Sequence, residues 1–254
     1  MSSMVQARDA LAPVKQNRRP LKSFVKRLRQ VVFTLRDSGG RYDRECPVCG
    51  FQGRFLGVGS PPRWDAQCPR CDALERHRLL YLALSEERPI ADDARVLHFA
   101  AETAVRNFVN TPGRDYVTAD LDPAKGDLAL NIEDIALPDE SFDAILCSHV
   151  LEHVDDSRAL PELFRILKKG GTLYAMVPLV EGWESSYENP SVKTEAERDL
   201  HFGQWDHIRF YGRDIRDRIR KAGFELTEYT AFGENCVRYG LVRGETIFLC
   251  RRPA

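Results

Sequence analysis

The most ordered of the reactive residues in this chain are cysteines. Cys46 and Cys49 form a CPVCG pair and Cys68 and Cys71 a CPRCD pair, with eighteen residues between the pairs. That spacing suits a four-cysteine zinc site. Two tight turns each present two thiolates, and four sulfurs close a tetrahedron around Zn²⁺ with no position open to a substrate. Such a site is structural: it folds a segment too small to have its own core. Within this stretch there is no His at ligand spacing, which argues against catalytic zinc. Gly50, Gly53, Gly57, Gly59, Pro61 and Pro62 mark the loops of a small zinc-ribbon-like knuckle. A second group is Ser148-His149-Val150-Leu151-Glu152-His153, whose imidazoles can move protons near neutral pH. A third lies between Glu181 and Arg209, where Trp183, Tyr187, His201 and Trp205 stand beside Asp206 and His207. Aromatics next to His, Asp and Arg suit a polar small molecule such as a sugar. His207, oriented by Asp206, is a candidate base there; a packed, hydrogen-bonded cap explains the same residues equally well.

Periodicity gives the elements that must position these groups. Phe142 to Cys147 reads as an apolar strand, about Asp155 to Lys168 as a helix, and a Gly-Gly turn leads to a second apolar strand ending at Pro178. Strand, crossover helix and strand make one right-handed βαβ unit of a parallel sheet. Arg95 to Phe99 reads as the first strand, and Asp115 to Ala119 as the next, ending in Asp120-Leu121-Asp122. Arg213 to Ala222 reads as a helix closed by Gly223, followed by strands over Phe224 to Phe232 and Glu245 to Arg251. Leu74 to Leu84 suits a helix joining the cysteine module to the rest. Its Glu75, Arg76, His77 and Arg78 either line a cleft or form ion pairs on a charged face. Cys147, Cys236 and Cys250 fall on expected strands and read as buried apolar residues. In an open parallel sheet ligands sit off the carboxyl ends of the strands, so the loop at Ser148 and His149 should face the site.

SFDAILCSHVLEHV, followed by a helix, L-K-K-G-G and a strand, resembles the second half of a class I S-adenosylmethionine (SAM)-dependent methyltransferase. The resemblance runs from about Arg95 to Arg251. It implies an α/β fold with a Rossmann-like sheet of seven strands, mostly parallel with the last antiparallel, behind the small zinc-ribbon-like module. In that family the first strand feeds a glycine-rich loop that lies against the cofactor. Here His98-Phe99-Ala100-Ala101-Glu102-Thr103 takes that place without a glycine. This wording is similar to a bacterial subgroup with LHxAxE at this point, a CxxC…CxxC-ERHR start and an FGQxDHxRxYG segment. The resemblance implies cofactor contacts at His98, Phe99, Ala100 and Glu102, at Asp120 (to the ribose) with Leu121, at Asn131, Ile132 and Glu133 around the adenine, and at Ser148. An acid about 20 residues past the first loop also suits ribose hydroxyls on general grounds, although an Asx turn would use the same residue. Leu-Glu-His-Val resembles ubiquinone-pathway O-methyltransferases, in which an acid, the Glu and the His of this loop can hold a divalent cation. Glu152 and His153 match, and His149 replaces the first acid; the commoner role of Glu-His here is to fix the loop by hydrogen bonds. An oxygen nucleophile must lose its proton, and His149 is the first-choice base by position.

The expected organisation is a basic arm over residues 1–40, a zinc-binding module with its linking helix over 41–90, and a methyltransferase domain over 91–254 with a substrate lid at 180–210. The chain has 254 residues, is 43% hydrophobic and carries a net charge of −1, which argues against a nucleic-acid or membrane field dominating the whole molecule. Between Asp9 and Asp37 there are eight basic residues and no acidic one. That arm reads as an amphipathic helix touching anionic lipid or RNA phosphates, or as a helix lying on the protein body. No apolar run reaches the roughly 20 residues of a bilayer span, and no apolar secretory core opens the chain. With the cysteine usage this points to the cytoplasm. The expected acceptor is a small molecule or glycan, methylated at oxygen. An RNA acceptor recognised by the zinc module and arm is the alternative, and an inactive scaffold the third.

Overall fold

The computed structural model describes residues 39–59 and 62–254. The basic segment from Lys15 to Arg36 lies outside the described residues. Among those described, no helix is long and apolar enough to cross a membrane.

The chain opens on two small hairpins. β1 (Asp43–Glu45) pairs with β2 (Gln52–Arg54), and β3 (Leu56–Val58) with β4 (Arg63–Gln67), both antiparallel. Each CxxC follows directly on β1 or β4, and the two turns are built alike. Cys46 N–H donates to Phe51 O at 2.8 Å and Gly50 N–H to Cys46 O at 2.8 Å; Cys68 N–H donates to Ala73 O at 3.0 Å and Asp72 N–H to Cys68 O at 3.0 Å. Both turns need a left-handed residue after the second cysteine: Gly50 supplies it at φ 70° and Asp72 at φ 59°. Phe55 and Ala73 pack with Cys46 and Cys68 into a core of their own. Helix α1 (Glu75–Glu86) then leads to the sheet.

The sheet is built from β5 (Arg95–Phe99), β6 (Asp115–Asp120), β7 (Leu128–Ala129), β8 (Phe142–Ser148), β9 (Leu167–Met176), β12 (Glu225–Thr230) and β13 (Thr246–Arg251). Their spatial order is β12-β13-β9-β8-β5-β6-β7. β5 to β9 run parallel, and β13 is antiparallel to both its neighbours. The expected mostly parallel sheet of seven with its last strand antiparallel is therefore present. Both faces of the central strands are buried, so their sequences are almost wholly apolar. Leu97, Phe99, Ile145, Cys147, Leu173 and Ala175 pack on one side. Val96, Ala144, Leu146, Tyr174 and Met176 pack on the other. Helices α3 (Asp156–Ile166) and α5 (Ile215–Lys221) cover the first face; α1, α2 (Thr103–Val109) and α6 (Gly233–Tyr239) cover the second. α3 starts where Asp155 accepts from Ser157 N–H at 3.0 Å.

The structure departs from the sequence reading in three places. The Gly-Gly turn expected before the fifth parallel strand lies inside β9, which already begins at Leu167. The 180–210 segment, whose sequence shows no strong periodicity, holds a short pair of strands, β10 (Tyr187–Glu188) and β11 (Arg209–Phe210), and helix α4 (Glu195–Phe202). Cys236, expected on a strand, lies buried in α6.

Candidate functional site

β5 pairs with β6 on one side and with β8 on the other, so the chain reverses its direction of winding between β5 and β8. A crevice opens outside the carboxyl ends of strands at such a point. Here it is a cavity of about 460 Å³. Its lining includes Phe99 and Ala100 after β5, Asp120 and Leu121 after β6, Asn131 and Ile132 after β7, and His149 after β8. His153 and Val154 lie beyond, and Arg198 of α4 and Asp206 reach it from the 180–210 segment.

Two of these residues carry backbone strain. Ala100 has φ 48° and His149 φ 55°, the left-handed region that costs any residue with a side chain. Ala100 thus takes, without being glycine, the backbone freedom that the first loop requires. Its N–H is held by Ala119 O at 2.8 Å. His149 N–H is held by Met176 O at 2.9 Å. One carboxylate oxygen of Asp120 accepts from Asp122 N–H at 2.9 Å, which leaves the other unengaged by this turn. Asn131 similarly accepts from Glu133 N–H at 3.0 Å, beside the buried Ile132.

Below His149 lies the most unusual electrostatic feature. Glu152 is 0% exposed, and neither of its side-chain oxygens has a hydrogen bond. The nearest basic atom on its own loop is His149 Nδ1, at 3.3 Å. Ligand atoms of Glu152, His153 and His207 lie within 4.8 Å of one another. The rings of His153 and His207 meet edge to face at 4.7 Å. His153 Nδ1 is 3.3 Å from an Asp206 oxygen. His207 Nδ1 donates to Phe202 O at 3.2 Å, and burial holds this imidazole below its ordinary pKa. The cluster can share protons or hold a cation. His207 joins it from the 180–210 segment, a convergence that chain spacing does not reveal. The loop itself is pinned by Arg209, which donates to Val154 O at 2.9 Å, and by Tyr211, whose hydroxyl donates to Asp156 at 2.9 Å.

Not every expected contact residue reaches the cavity. His98 points away from it, since alternate residues of a strand face opposite sides. It shares a 2.7 Å hydrogen bond with the Tyr116 hydroxyl, and burial pushes its pKa down to about 4. Glu102 turns back to α1, where Arg76 Nε donates to it at 3.1 Å and His77 Nε2 lies at 2.8 Å. Glu133 accepts from Asp155 N–H at 2.9 Å and pairs with Arg158 at 3.1 Å. Ser148 is at the end of β8 with its hydroxyl buried and unbonded. Arg198 was missed, and so was its helix. The signal for the helix was the Thr194/Glu197 capping box, whose Glu197 accepts from Thr194 N–H at 2.9 Å.

The four module cysteines converge. Cys46 and Cys71 sulfurs are 3.6 Å apart, and those of Cys49 and Cys68 3.7 Å. A disulfide needs about 2.05 Å. A tetrahedron of Zn–S bonds near 2.3 Å has edges of about 3.8 Å, so the cluster has the size a zinc ion fits. Burial pushes the Cys46 thiol up to about 11, so this sulfur ionises readily only against a cation.

Sheet order and switch-point cleft together define an open, mostly parallel α/β fold with its ligand crevice at the carboxyl ends of the strands. Residues 98–175 match a family described as a methyltransferase domain. The chain is 30% identical over 113 residues to the ubiquinone/menaquinone biosynthesis C-methyltransferase UbiE of Vibrio campbellii, a stretch covering 39% of this chain and 44% of that protein. UbiE of Vibrio cholerae is 31% identical over the same length and coverage. This chain thus spans less than half the length of the relatives it matches. Among solved structures, the [4+2]-cyclase SpnF is similar at 15% identity and TM-score 0.49, covering 70% of this chain and 81% of that one. Phosphoethanolamine N-methyltransferase 2 of Haemonchus contortus is similar at 14% identity and TM-score 0.48, covering 70% and 52%. Likeness at that level decides nothing about chemistry.

Proposed function

We propose that the protein is a SAM-dependent methyltransferase acting on a small-molecule or glycan acceptor, with oxygen as the methylated atom. The observation that carries this reading is the switch-point cavity, most of whose lining falls in the segment matching a methyltransferase domain and which presents Asp120 beside an apolar shelf. Asp120 has an oxygen to offer to ribose hydroxyls, and Ile132 with Leu130 gives a wall for the adenine ring. When bound, SAM supplies a methyl group on a sulfonium whose departure leaves a neutral thioether. The protein then has to orient the acceptor and take its proton. Glu152 lies 3.3 Å from His149 Nδ1 and so favours the proton on that nitrogen. The lone pair is left on the buried, unbonded Nε2, which takes the acceptor's proton where the acceptor hydroxyl reaches that nitrogen, and the buried carboxylate stabilises the resulting imidazolium. Asp206 and Arg198 roof the cavity and limit water. His207 is the second candidate base, with Asp206 reaching it through His153.

The four cysteines hold a structural Zn²⁺ in this reading, supported by the sulfur spacing. A carbon acceptor is the second reading, favoured by the C-methyltransferase relatives. Titration calorimetry with SAM tests the first step: no binding at millimolar cofactor ends the proposal. Methyl-labelled SAM incubated with lysate fractions tests the acceptor. Mass spectrometry should find the label in small molecules or glycans as an ether; label on carbon selects the second reading, and label in RNA rejects both.

A further inference from the structure

The four consecutive residues Glu75-Arg76-His77-Arg78 divide their work between two partners. Glu75 and Arg78 face the cysteine module. Glu75 pairs with Arg63 of β4 through both its oxygens, at 3.0 and 3.4 Å. Arg78 is fully buried and donates to Ala66 O at 2.9 Å and to Ala73 O, two residues past Cys71. Arg76 and His77 face the loop after β5 instead. Both guanidinium nitrogens Nε and Nη2 of Arg76 donate to the Glu102 carboxylate. His77 Nδ1 accepts from Leu74 N–H at 3.2 Å, so its proton is on Nε2, which donates to Glu102 at 2.8 Å.

Glu102 is the N-cap of α2, and its carbonyl accepts from Val105 and Arg106 N–H. Its carboxylate does not cap that helix. It is spent on α1, two residues from Ala100, whose left-handed backbone lines the cavity. A loop without glycine resists that conformation, and a strained residue persists only when its surroundings over-determine it. Arg76 and His77 supply that restraint.

We propose that Glu102 is a positioning residue for the cofactor loop, moored through Arg76 and His77 to the cysteine module, so that cofactor affinity and metal retention are linked. This rests on the SAM reading above. Linkage is reciprocal: if an ordered module favours the cofactor loop, bound cofactor must favour the ordered module by the same factor. The metal site thereby has a reason to be joined to this sheet.

The test uses the full chain in its zinc-loaded form. By calorimetry, Arg76→Met and Glu102→Gln should each weaken SAM about tenfold, and the double variant should be no weaker than the poorer single. The swapped pair Arg76→Glu/Glu102→Arg should recover part of the affinity, which a merely structural defect would not do. In parallel, zinc loss to excess chelator, read with 4-(2-pyridylazo)resorcinol, should slow in saturating SAM for the wild type and not for Glu102→Gln. A wild type that binds no SAM removes the underlying reading. A wild type that binds SAM, with Glu102→Gln binding as well or zinc loss indifferent to SAM, removes the mooring alone. Should Glu102→Gln fail to fold, the wild-type zinc-release experiment still decides.

Discussion

In the cysteine module the sulfurs face each other at 3.6 and 3.7 Å, and the turn amides close on carbonyls of the same turns. Across the cleft the pattern is reversed. Glu152 keeps two buried oxygens without a hydrogen bond, and Ser148 Oγ and His149 Nε2 are buried and unbonded. Unmet polar groups in a low-dielectric interior are costly unless a ligand or proton completes them. The module's four sulfurs converge on one another at a spacing that suits a single ion. The cleft is built to remain unfinished until something enters.

Four experiments press on this contrast, beginning with the largest expected effect. Cys68→Ser should empty the metal site and unfold the module, since apparent zinc binding in small zinc domains contributes on the order of 10–16 kcal/mol to folding. Metal analysis and limited proteolysis read this out; a variant as protease-resistant as the wild type would mean the module does not need its ion. Glu152→Gln should behave in the opposite way. Glutamine keeps the shape of a buried side chain whose oxygens have no hydrogen bond, so Tm should stay unchanged or rise, while turnover should fall about 100-fold as His149, 3.3 Å away, loses its orienting carboxylate. Lower Tm with full kcat would place Glu152 among structural groups and erase the contrast.

Asp120→Ala keeps the fold and should weaken SAM about 10- to 100-fold, the range of one lost hydrogen bond to a charged group. Unchanged affinity by calorimetry removes the ribose assignment. The smallest effect concerns Glu245, whose pKa burial raises from 4.5 to about 7. The folded state therefore keeps a proton that the unfolded chain gives up. Stability contributed by this group is full below about pH 4.5 and declines as pH rises through about 7. Glu245→Gln should flatten that part of the Tm profile in scanning calorimetry; a profile parallel to the wild type would show that the carboxyl titrates normally.

Much of this architecture was legible because two signals are local. Strands buried on both faces are continuous apolar runs, so β5, β8 and β9 announce themselves, and CxxC spacing specifies a site without tertiary knowledge. Helices α4 and α6 escaped because almost nothing in them is buried: only Phe202 in α4 and Cys236 in α6. A helix without an apolar face has no period to read. At the site, Phe99, Ala100, Asp120, Asn131, Ile132 and His149 come together as the ordered loops of the sheet suggested. His98 does not, because strand alternation turns it inward, and Glu102 does not, because a partner 26 positions earlier claims its carboxylate. The Glu152–His153–His207 convergence depends on the fold of a segment more than 50 residues downstream of Glu152, and no spacing rule reaches that far.

Arg78 has a practical consequence for anyone cutting this chain into parts. Besides its bonds to the module, its guanidinium donates to Tyr239 O at 2.7 Å and Gly240 O at 2.8 Å, at the end of α6. One side chain thus ties together three stretches that a boundary drawn between module and sheet would sever. A fragment beginning at β5 would strand the last carbonyls of α6, and one ending before α1 would lose the cation beneath its cysteines. Family likeness and side-chain contacts draw different borders here: the methyltransferase-domain match spans 98–175, whereas the contacts of Arg78 join stretches from Ala66 to Gly240.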